Sequence, residues 1–539
     1  MPSKPKCPEW LNDAVFYQIY PQSFLDTNGD GIGDLSGIID KLGYISSLGV
    51  NALWLNPVFE SPFGDAGYDV SDFRKVASRY GTNADLKRLF KEAHKRGMRV
   101  VLDLVAGHTS SEHPWFKASR QHKKSKYSDY YIWTPNVWTG APGEWIKGAG
   151  PRDGNYQTNF FWFQPALNFG YAHPDPDRPS EQPLDAPGPR AVRAELEAIM
   201  RFWLEAGCDG FRVDMASSLV KGPDNGPALR RVWREIRGWM ERDFPEAILV
   251  SEWSNPKQAI DAGFHIDFMI HFGEPAYNAL VGTWGKVIGD ARDPHVFFER
   301  AGGGNILGFA KNFLEHYETV RNEGYIALPT GNHDYPRLSR GRTAEELRAV
   351  HAMLLTMPGV PFIYYGDEIG MDYLEGLAPK EGSFDFRTGA RTPMQWTRGR
   401  NKGFSTAPAS KLYLPVDPSP DAPDVESQQD DSGSHLNLIR ALLELRRKHP
   451  ALGNTGDFRV LYARKNKYPF VYERAAKGEQ FVLVFNPGRE PAKTTSLDLP
   501  AEARYEAVFV TGIALVRKHG CWIADAPGGS WGIFQINKQ

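Results

Sequence analysis

Cysteine is almost missing from this chain: Cys7, Cys208 and Cys521 are the only three in 539 residues. An odd and sparse set argues against a disulfide framework and fits a reducing compartment. Cys208 stands just before the apolar run around Phe211, so a buried structural thiol is expected there. Long hydrophobic runs are missing as well: no stretch of about eighteen apolar residues offers a membrane span. The basic start, residues 1–7, leads straight to Trp10 with no apolar leader segment, so no signal peptide is expected and the expected location is cytoplasmic. An excess of charge of either sign is also absent. A formal net charge of −2 gives no electrostatic case for nucleic acid or an anionic membrane as partner. No repeat of solenoid length is found.

What is present is the balance of a globular protein, with 41% hydrophobic and 24% charged residues. The length suits one large domain plus accessories. Aromatics reach 13%, with 15 Trp; their faces suit sugar rings, although large hydrophobic cores account for most of such a content. Strand-like and helix-like segments alternate. Strands are expected at 14–20, 52–55, 98–105, 210–214, 248–252, 265–270, 325–328 and 361–365. Helices are expected at 83–96, 191–206, 229–244, 346–357 and 435–449. Eight strand candidates with helices between fit a (β/α)8 TIM barrel, an α/β fold, although a doubly wound sheet has the same alternation. The long Gly- and Pro-rich connection 107–190 reads as an inserted subdomain after the third strand. Residues 366–434 form a second excursion, whose Asp-, Pro- and Ser-rich part, 415–434, is expected to be mobile. After Pro450 short β-rich runs alternate with turn signals, the texture of a C-terminal antiparallel β-sandwich. The expected layout is barrel 1–106, inserted subdomain 107–190, barrel 191–455 and sandwich 456–539.

Three acids occupy the ends of three separate strand candidates: Asp214 after Gly210-Phe211-Arg212-Val213, Glu252 after Ile248-Leu249-Val250-Ser251, and Asp334 in Gly331-Asn332-His333-Asp334. Carboxylates repeated at buried strand ends favour the barrel and an active site at its C-terminal face. They also supply what cleavage of a glycosidic bond needs: a nucleophile, an acid and a third charge. No His pair at ligand spacing accompanies them, which disfavours a metal-dependent hydrolase.

Several blocks, in order, resemble the signature blocks of the α-amylase family (glycoside hydrolase family 13). They are Asp103-Leu104-Val105-Ala106-Gly107-His108, residues 210–214, Glu252, and Asn332-His333-Asp334. Gln164-Pro165-Ala166-Leu167-Asn168 is similar to a fifth, and Arg391-Thr392-Pro393-Met394-Gln395-Trp396 to a block of α-glucosidases and trehalose synthases. Within the family the chain resembles the exo-acting α-glucosidases and oligo-1,6-glucosidases. The resemblance implies Asp214 as nucleophile, Glu252 as acid/base and Asp334 as the holder of substrate hydroxyls. It implies Arg212 as the charge that keeps Asp214 ionised, and His108 and His333 as hydrogen-bond donors to the sugar. Tyr68 would be a stacking platform, and Asp69 with Arg391 would grip the non-reducing end and close the pocket. A small oligosaccharide or α-glucoside is the partner expected.

Asp26, Asn28, Asp30, the Ile32 carbonyl and Asp34 alternate as oxygen donors around Gly31, like the first part of an EF-hand loop. The twelfth position is Gly37 rather than Glu, so the match is to the metal loop of oligo-1,6-glucosidase relatives. A structural Ca2+, or Mg2+, is expected there; an Asx-rich turn without an ion is the plainer reading. Gly107 replaces the Asn usual before His108, so the second calcium site of many α-amylases is not expected. Ala166 replaces an Asp usual in the fifth block, and Met215 after the nucleophile leaves linkage preference open. The leading reading is a retaining exo-α-glucosidase working through a covalent glucosyl-Asp intermediate. Its rival is a glucosyltransferase or isomerase, such as a trehalose-synthase-like enzyme, and a non-catalytic binding or transporter-associated relative belongs to another class.

Overall fold

The computed structural model describes residues 7–140, 143–148, 150–269, 275–282, 296–300, 305–383, 385–500 and 502–537. Residues 1–6, read above for a leader, and residue 270, the end of the sixth expected strand, lie outside the described residues. Short apolar runs form the strands β1 (Phe16–Ile19), β2 (Ala52–Leu55), β3 (Arg99–Leu104), β4 (Gly210–Val213), β5 (Ile248–Ser251), β6 (Ile266–Phe268), β7 (Tyr325–Pro329) and β8 (Val360–Tyr364). All neighbours pair in parallel, and β8 returns to β1, closing the barrel in chain order. Parallel strands covered on both faces read as continuous hydrophobic sequence, which is why these runs lack polar alternation.

Helices stand between the strands: α1 (Leu35–Ser47), α2 (Asn83–His94), α3 (Pro187–Glu205), α4 (Gly226–Asp243), α5 (Pro256–Ala262), α6 (Ile306–Val320) and α7 (Ala344–Leu354), with α8 (His435–Lys448) after β8. Their starts are written in side chains. Thr82 with Asp85 and Thr343 with Glu346 form capping boxes at α2 and α7. The α2 residues Leu86, Leu89, Phe90 and Ala93 share the buried face. Helix α3 begins at Pro187, ahead of the expected 191, because proline at the first turn costs no hydrogen bond.

Alternate strand residues point into the barrel. Its floor is apolar: Phe16, Ala52, Val101, Ile248, Val250, Phe268 and Phe362 form one cluster, with Phe16 and Phe362 stacked at 4.4 Å. The insertion after β3 holds a short helix, Pro114–Ser119, and a hairpin of Trp145–Lys147 with Asn155–Gln157. Bridges His108↔Ala166 and Tyr131↔Leu167 tie it together. The segment 415–434 is not the loose connection expected. Asp424 caps a turn of helix at Val425–Gln429, and the Val425 and Glu426 amides donate to the carbonyls of Gln395 and Trp396, both at 3.0 Å. Backbone pairing to the 391–396 block outweighs its polar composition.

The C-terminal strands are β9 (Asp457–Arg464), β10 (Lys467–Ala476), β11 (Glu479–Asn486), β12 (Ala492–Lys493), β13 (Arg504–Val510), β14 (Ala514–Lys518), β15 (Cys521–Ala526) and β16 (Ser530–Asn537). They make two antiparallel sheets, β9-β10-β11-β16-β13 and β12-β15-β14, over a core that includes Val471, Val482, Val484, Ala524 and Phe534. The (β/α)8 barrel with a C-terminal sandwich is therefore the fold. Among the described residues no helix is long and apolar enough to cross a membrane.

Gly210 opens β4 at φ +146°, and a Cβ there would meet the Ile248 carbonyl at 2.3 Å. Two paired strands cannot move apart locally, so Gly210→Ala is expected to lower the melting temperature sharply or prevent folding. Gly238, exposed within α4, has nothing within 4 Å of its Cβ position; Gly238→Ala is expected to stabilise by about 0.5–1 kcal/mol. Thermal denaturation of both variants checks the pair.

Candidate active site

The same alternation that builds the apolar floor builds a polar ceiling. Along β4 the inward positions run Gly210, Arg212, Asp214, and along β5 they run Ile248, Val250, Glu252, so the charged side chains emerge together at the C-terminal mouth. Arg212 is 1% exposed, and its guanidinium joins the acids. Nη1 donates to Asp103 Oδ1 and to Asp214 Oδ1, each at 3.0 Å, and Nη2 lies 2.9 Å from Glu252 Oε2. The Met215 amide donates to the same Glu252 oxygen at 2.9 Å. Asp103 is held further by Trp54 Nε1 and the Tyr68 hydroxyl. The contact with Asp214 is the one expected; Arg212 reaches Glu252 as well, because the flat fork of a guanidinium offers donors to several acceptors at once.

Burial raises Asp214 to about 7, against the pull of Arg212 and with Asp103 and Asp334 adding to the rise. Burial likewise raises Glu252 to about 7, against Arg212 and reinforced by Asp214 and Asp334. A raised carboxyl is what a general acid working near neutrality requires. Asp334 goes the other way. Burial opposes its ionisation, but Arg387, His333 and Arg391 outweigh it and hold its carboxyl well below the usual range. Arg391 Nη2 donates to Asp334 Oδ1 at 3.2 Å, and Arg387 Nη1 lies 3.4 Å from the same atom.

These acids open onto a cavity of about 300 Å³ lined by Asp65, Tyr68, Phe160, Asp214, Met215, Ser217, Glu252, Trp253, Asp334 and Arg387. That volume is at the small end for ligand sites and suits a short saccharide. The expected grip of Asp69 and Arg391 on a sugar is not what the structure shows. Asp69, 1% exposed, accepts from Ser61 Oγ and from the amides of Gly64 and Asp65, so it shapes the loop instead of facing the cavity. Arg391 donates to the His333 carbonyl at 2.8 Å and braces Asp334 from behind. The opposite charges in the lining are Asp65 and Arg387, each four residues earlier. Each has the same residue type and motif neighbourhood as the residue expected, and only the loop path separates the two candidates. Gln164 Nε2 donates to Asp65 Oδ2 at 2.8 Å, and burial raises Asp65 to about 6 despite Gln164 and Arg387.

Tyr68 does line the cavity, its ring stacked on His333 at 5.4 Å. The two histidines stand behind it. His108 Nε2 pairs with the Tyr68 carbonyl at 3.0 Å, and Asn159 Nδ2 donates to His108 Nδ1 at 3.2 Å. His333 Nδ1 meets Gln18 Nε2 at 3.0 Å, and its Nε2 meets the Tyr68 hydroxyl at 2.8 Å. Both ring nitrogens of each are engaged inside the protein, and neither histidine is among the residues that line the cavity. Gly107 makes room for Asn159, whose Nδ2 a Cβ would meet at 2.8 Å. Lys221 Nζ donates to Asn159 Oδ1 at 2.9 Å and to the Ser218 carbonyl at 2.7 Å, so a protein ammonium links the insertion to the loop after β4.

In the 26–34 loop the carboxylates expected as ligands are hydrogen-bonded within the protein. Asp34 caps α1 through the Gly37 amide and also accepts from Thr27 N and Oγ1. Asp26 accepts from the amides of Asn28, Gly29 and Gly31 and from Ser405 Oγ. Asn28, Asp30 and the Ile32 carbonyl keep the alternating spacing. Among the described residues no group of three or more His, Cys, Asp or Glu gathers as a metal site.

Residues 18–455 match the family model described as the alpha amylase catalytic domain. The chain is 32% identical to a trehalose synthase/amylase, TreS, of Mycobacterium tuberculosis, over 99% of this chain and 91% of that protein. It is 31% identical to an oligo-1,6-glucosidase of Parageobacillus thermoglucosidasius, over 88% and 90%. Among solved structures, the trehalulose synthase MutB of Pseudomonas mesoacidophila superposes with a TM-score of 0.80 at 28% identity, covering 99% of this chain and 100% of that one.

Glu252 stands at about 7 in the folded protein, above its unfolded value of about 4.3. Folding therefore favours the protonated form, and that stability is complete below about pH 4 and lost as pH rises through about 7. Glu252→Gln removes the loss. It is expected to be more stable than the unaltered protein at pH 8, by on the order of 1–3 kcal/mol, and equal to it near pH 4, as calorimetry across that range would record.

Proposed function

The chain belongs to the α-amylase family of glycoside hydrolases, and on that premise we propose a retaining, exo-acting α-glucosidase that releases glucose from the non-reducing end of short α-glucosides. The observation that carries the reading is Arg212, bonded through neighbouring nitrogens to Asp214 and Glu252. Two carboxyls on one guanidinium lie close together, which supports the short separation of a covalent mechanism over the wide one that leaves room for a water. Asp214 attacks C1 of the bound glucose while the C1–O bond breaks, and Glu252 gives its proton to the leaving oxygen. A water then loses its proton to Glu252, attacks C1 and frees Asp214. Asp334, kept ionised by Arg387 and Arg391, holds hydroxyls of the reacting sugar. Asp65 and Arg387 close the cavity beyond that sugar, which supports action at chain ends.

A second reading shares every step up to the intermediate. A sugar in place of water would give transfer or isomerisation, as the names trehalose synthase/amylase and trehalulose synthase describe for two similar proteins. A cytoplasmic location belongs to the same proposal, resting on the sequence. So does a Ca2+ or Mg2+ ion in the 26–34 loop, with Asp26, Asn28, Asp30, the Ile32 carbonyl and Asp34 as the residues that would hold it.

Incubation with sucrose, maltose, isomaltose, kojibiose, nigerose and trehalose, with products identified, separates the readings. Glucose release marks hydrolysis, whereas a new disaccharide marks transfer. Asp214→Ala is expected to lower kcat by at least about 10³-fold with the fold intact. Arg387→Ala is expected to raise KM more than about tenfold, and Asp69→Asn to lower the melting temperature instead. If the loop holds a cation, millimolar Ca2+ raises the melting temperature of the unaltered protein and not that of Asp30→Ala; equal responses would remove the cation proposal.

A further inference from the structure

Glu252 is held from two sides. Inside the barrel its carboxyl meets Arg212 and the Met215 amide. The backbone on either side of it is held by a residue of the next strand. Asp267 of β6 is fully buried and lies in register beside Ser251. Its Oδ1 accepts from Ser251 Oγ at 2.6 Å and from the Trp253 amide at 3.1 Å, and its Oδ2 accepts from the Asn255 amide at 2.8 Å. One carboxylate thus grips the residues immediately before and after Glu252. The turn it closes is strained: Ser254 sits at φ +57°, a left-handed conformation that a non-glycine residue keeps only when its surroundings enforce it. Trp253, carried by the same turn, lines the cavity beside the acid.

The geometry points to Asp267 as a positioning residue that sets the placement of the Glu252 carboxyl and the Trp253 wall of the cavity. The assignment rests on the reading of Glu252 as acid/base. Two of the three donors are backbone amides at fixed places, so a carboxamide at 267 turns an N–H donor toward one of them or surrenders it. The turn then relaxes, and Glu252 loses its alignment with the leaving oxygen, while Asp214, on a different strand, keeps its own.

That asymmetry gives a test that a general loss of structure would not mimic. A sugar leaving group needs the proton of Glu252; 4-nitrophenolate leaves with little help. Because kcat/KM reports the step up to bond cleavage, it is measured for 4-nitrophenyl α-glucoside and for the disaccharide cleaved best. For Asp267→Asn the expected loss is about 100-fold on the disaccharide, within the range for a lost acid, and less than about fivefold on the aryl glucoside. Ser251→Ala, which removes one hydrogen bond and leaves both amides in place, is expected to shift the same ratio by about two- to fivefold, and it carries the test if Asp267→Asn does not fold. Equal losses on both substrates, or an unchanged ratio, overturn the assignment. Asp214→Ala separates the two levels. If it is inactive while the ratio in Asp267→Asn is unchanged, the positioning role alone is wrong. If Asp214→Ala keeps its activity, the reading of the site falls and the role of Asp267 with it.

Discussion

A single buried guanidinium is the constraint on which the site depends. Arg212 has almost no contact with water, yet it carries a full charge that is paired, among the described residues, with Asp103, Asp214 and Glu252. Burying ions is costly unless each is paired and hydrogen-bonded, and the pairing here is spread over three carboxyls on three strands. No one of those strands can shift its register without stranding a charge. The arginine therefore ties barrel geometry to chemistry. It holds Asp214 and Glu252 near each other, while burial, with the neighbouring carboxylates adding to it, raises both against its pull.

Around that charge the backbone is bent to fit. Met215 follows Asp214 at φ +44°, and Ser254 follows Glu252 by two residues at φ +57°. Left-handed residues without a glycine cost on the order of 1–3 kcal/mol each. Both sit where the chain must leave a strand end quickly and still present a carboxylate to the cavity. The Met215 amide, turned by that bend, donates to Glu252; the Ser254 turn is closed by Asp267. Strain next to one acid thus provides a donor to the other, and the rigid barrel beneath supplies the stability that sustains it.

The strands were legible because each is a short apolar run ended by a polar residue, and a barrel covered on both faces demands such runs. The acids were legible for the same reason: Asp214 and Glu252 continue the inward period of β4 and β5 by one more step. The loops were read less well. Asp69 and Arg391 resembled ligands but point into the protein, while Asp65 and Arg387, four positions earlier, face the cavity. Loop residues follow no period, so nothing local marks which of two like residues turns outward. The polar segment 415–434 was read as mobile on composition, and backbone pairing to residues 395 and 396 holds it.

By itself the sequence determined the order of strands and helices, because local periodicity dictates it; the strand-end carboxylates favoured a barrel over a doubly wound sheet, and the roles of the three acids rest on the resemblance to the α-amylase family. Tertiary structure alone decided which acid meets which arginine, which side chains border the cavity, and that a carboxylate on β6 grips the turn after β5. Those pairings join residues far apart along the chain, and their electrostatics depend on distance and burial in space, quantities that exist only once the barrel has closed.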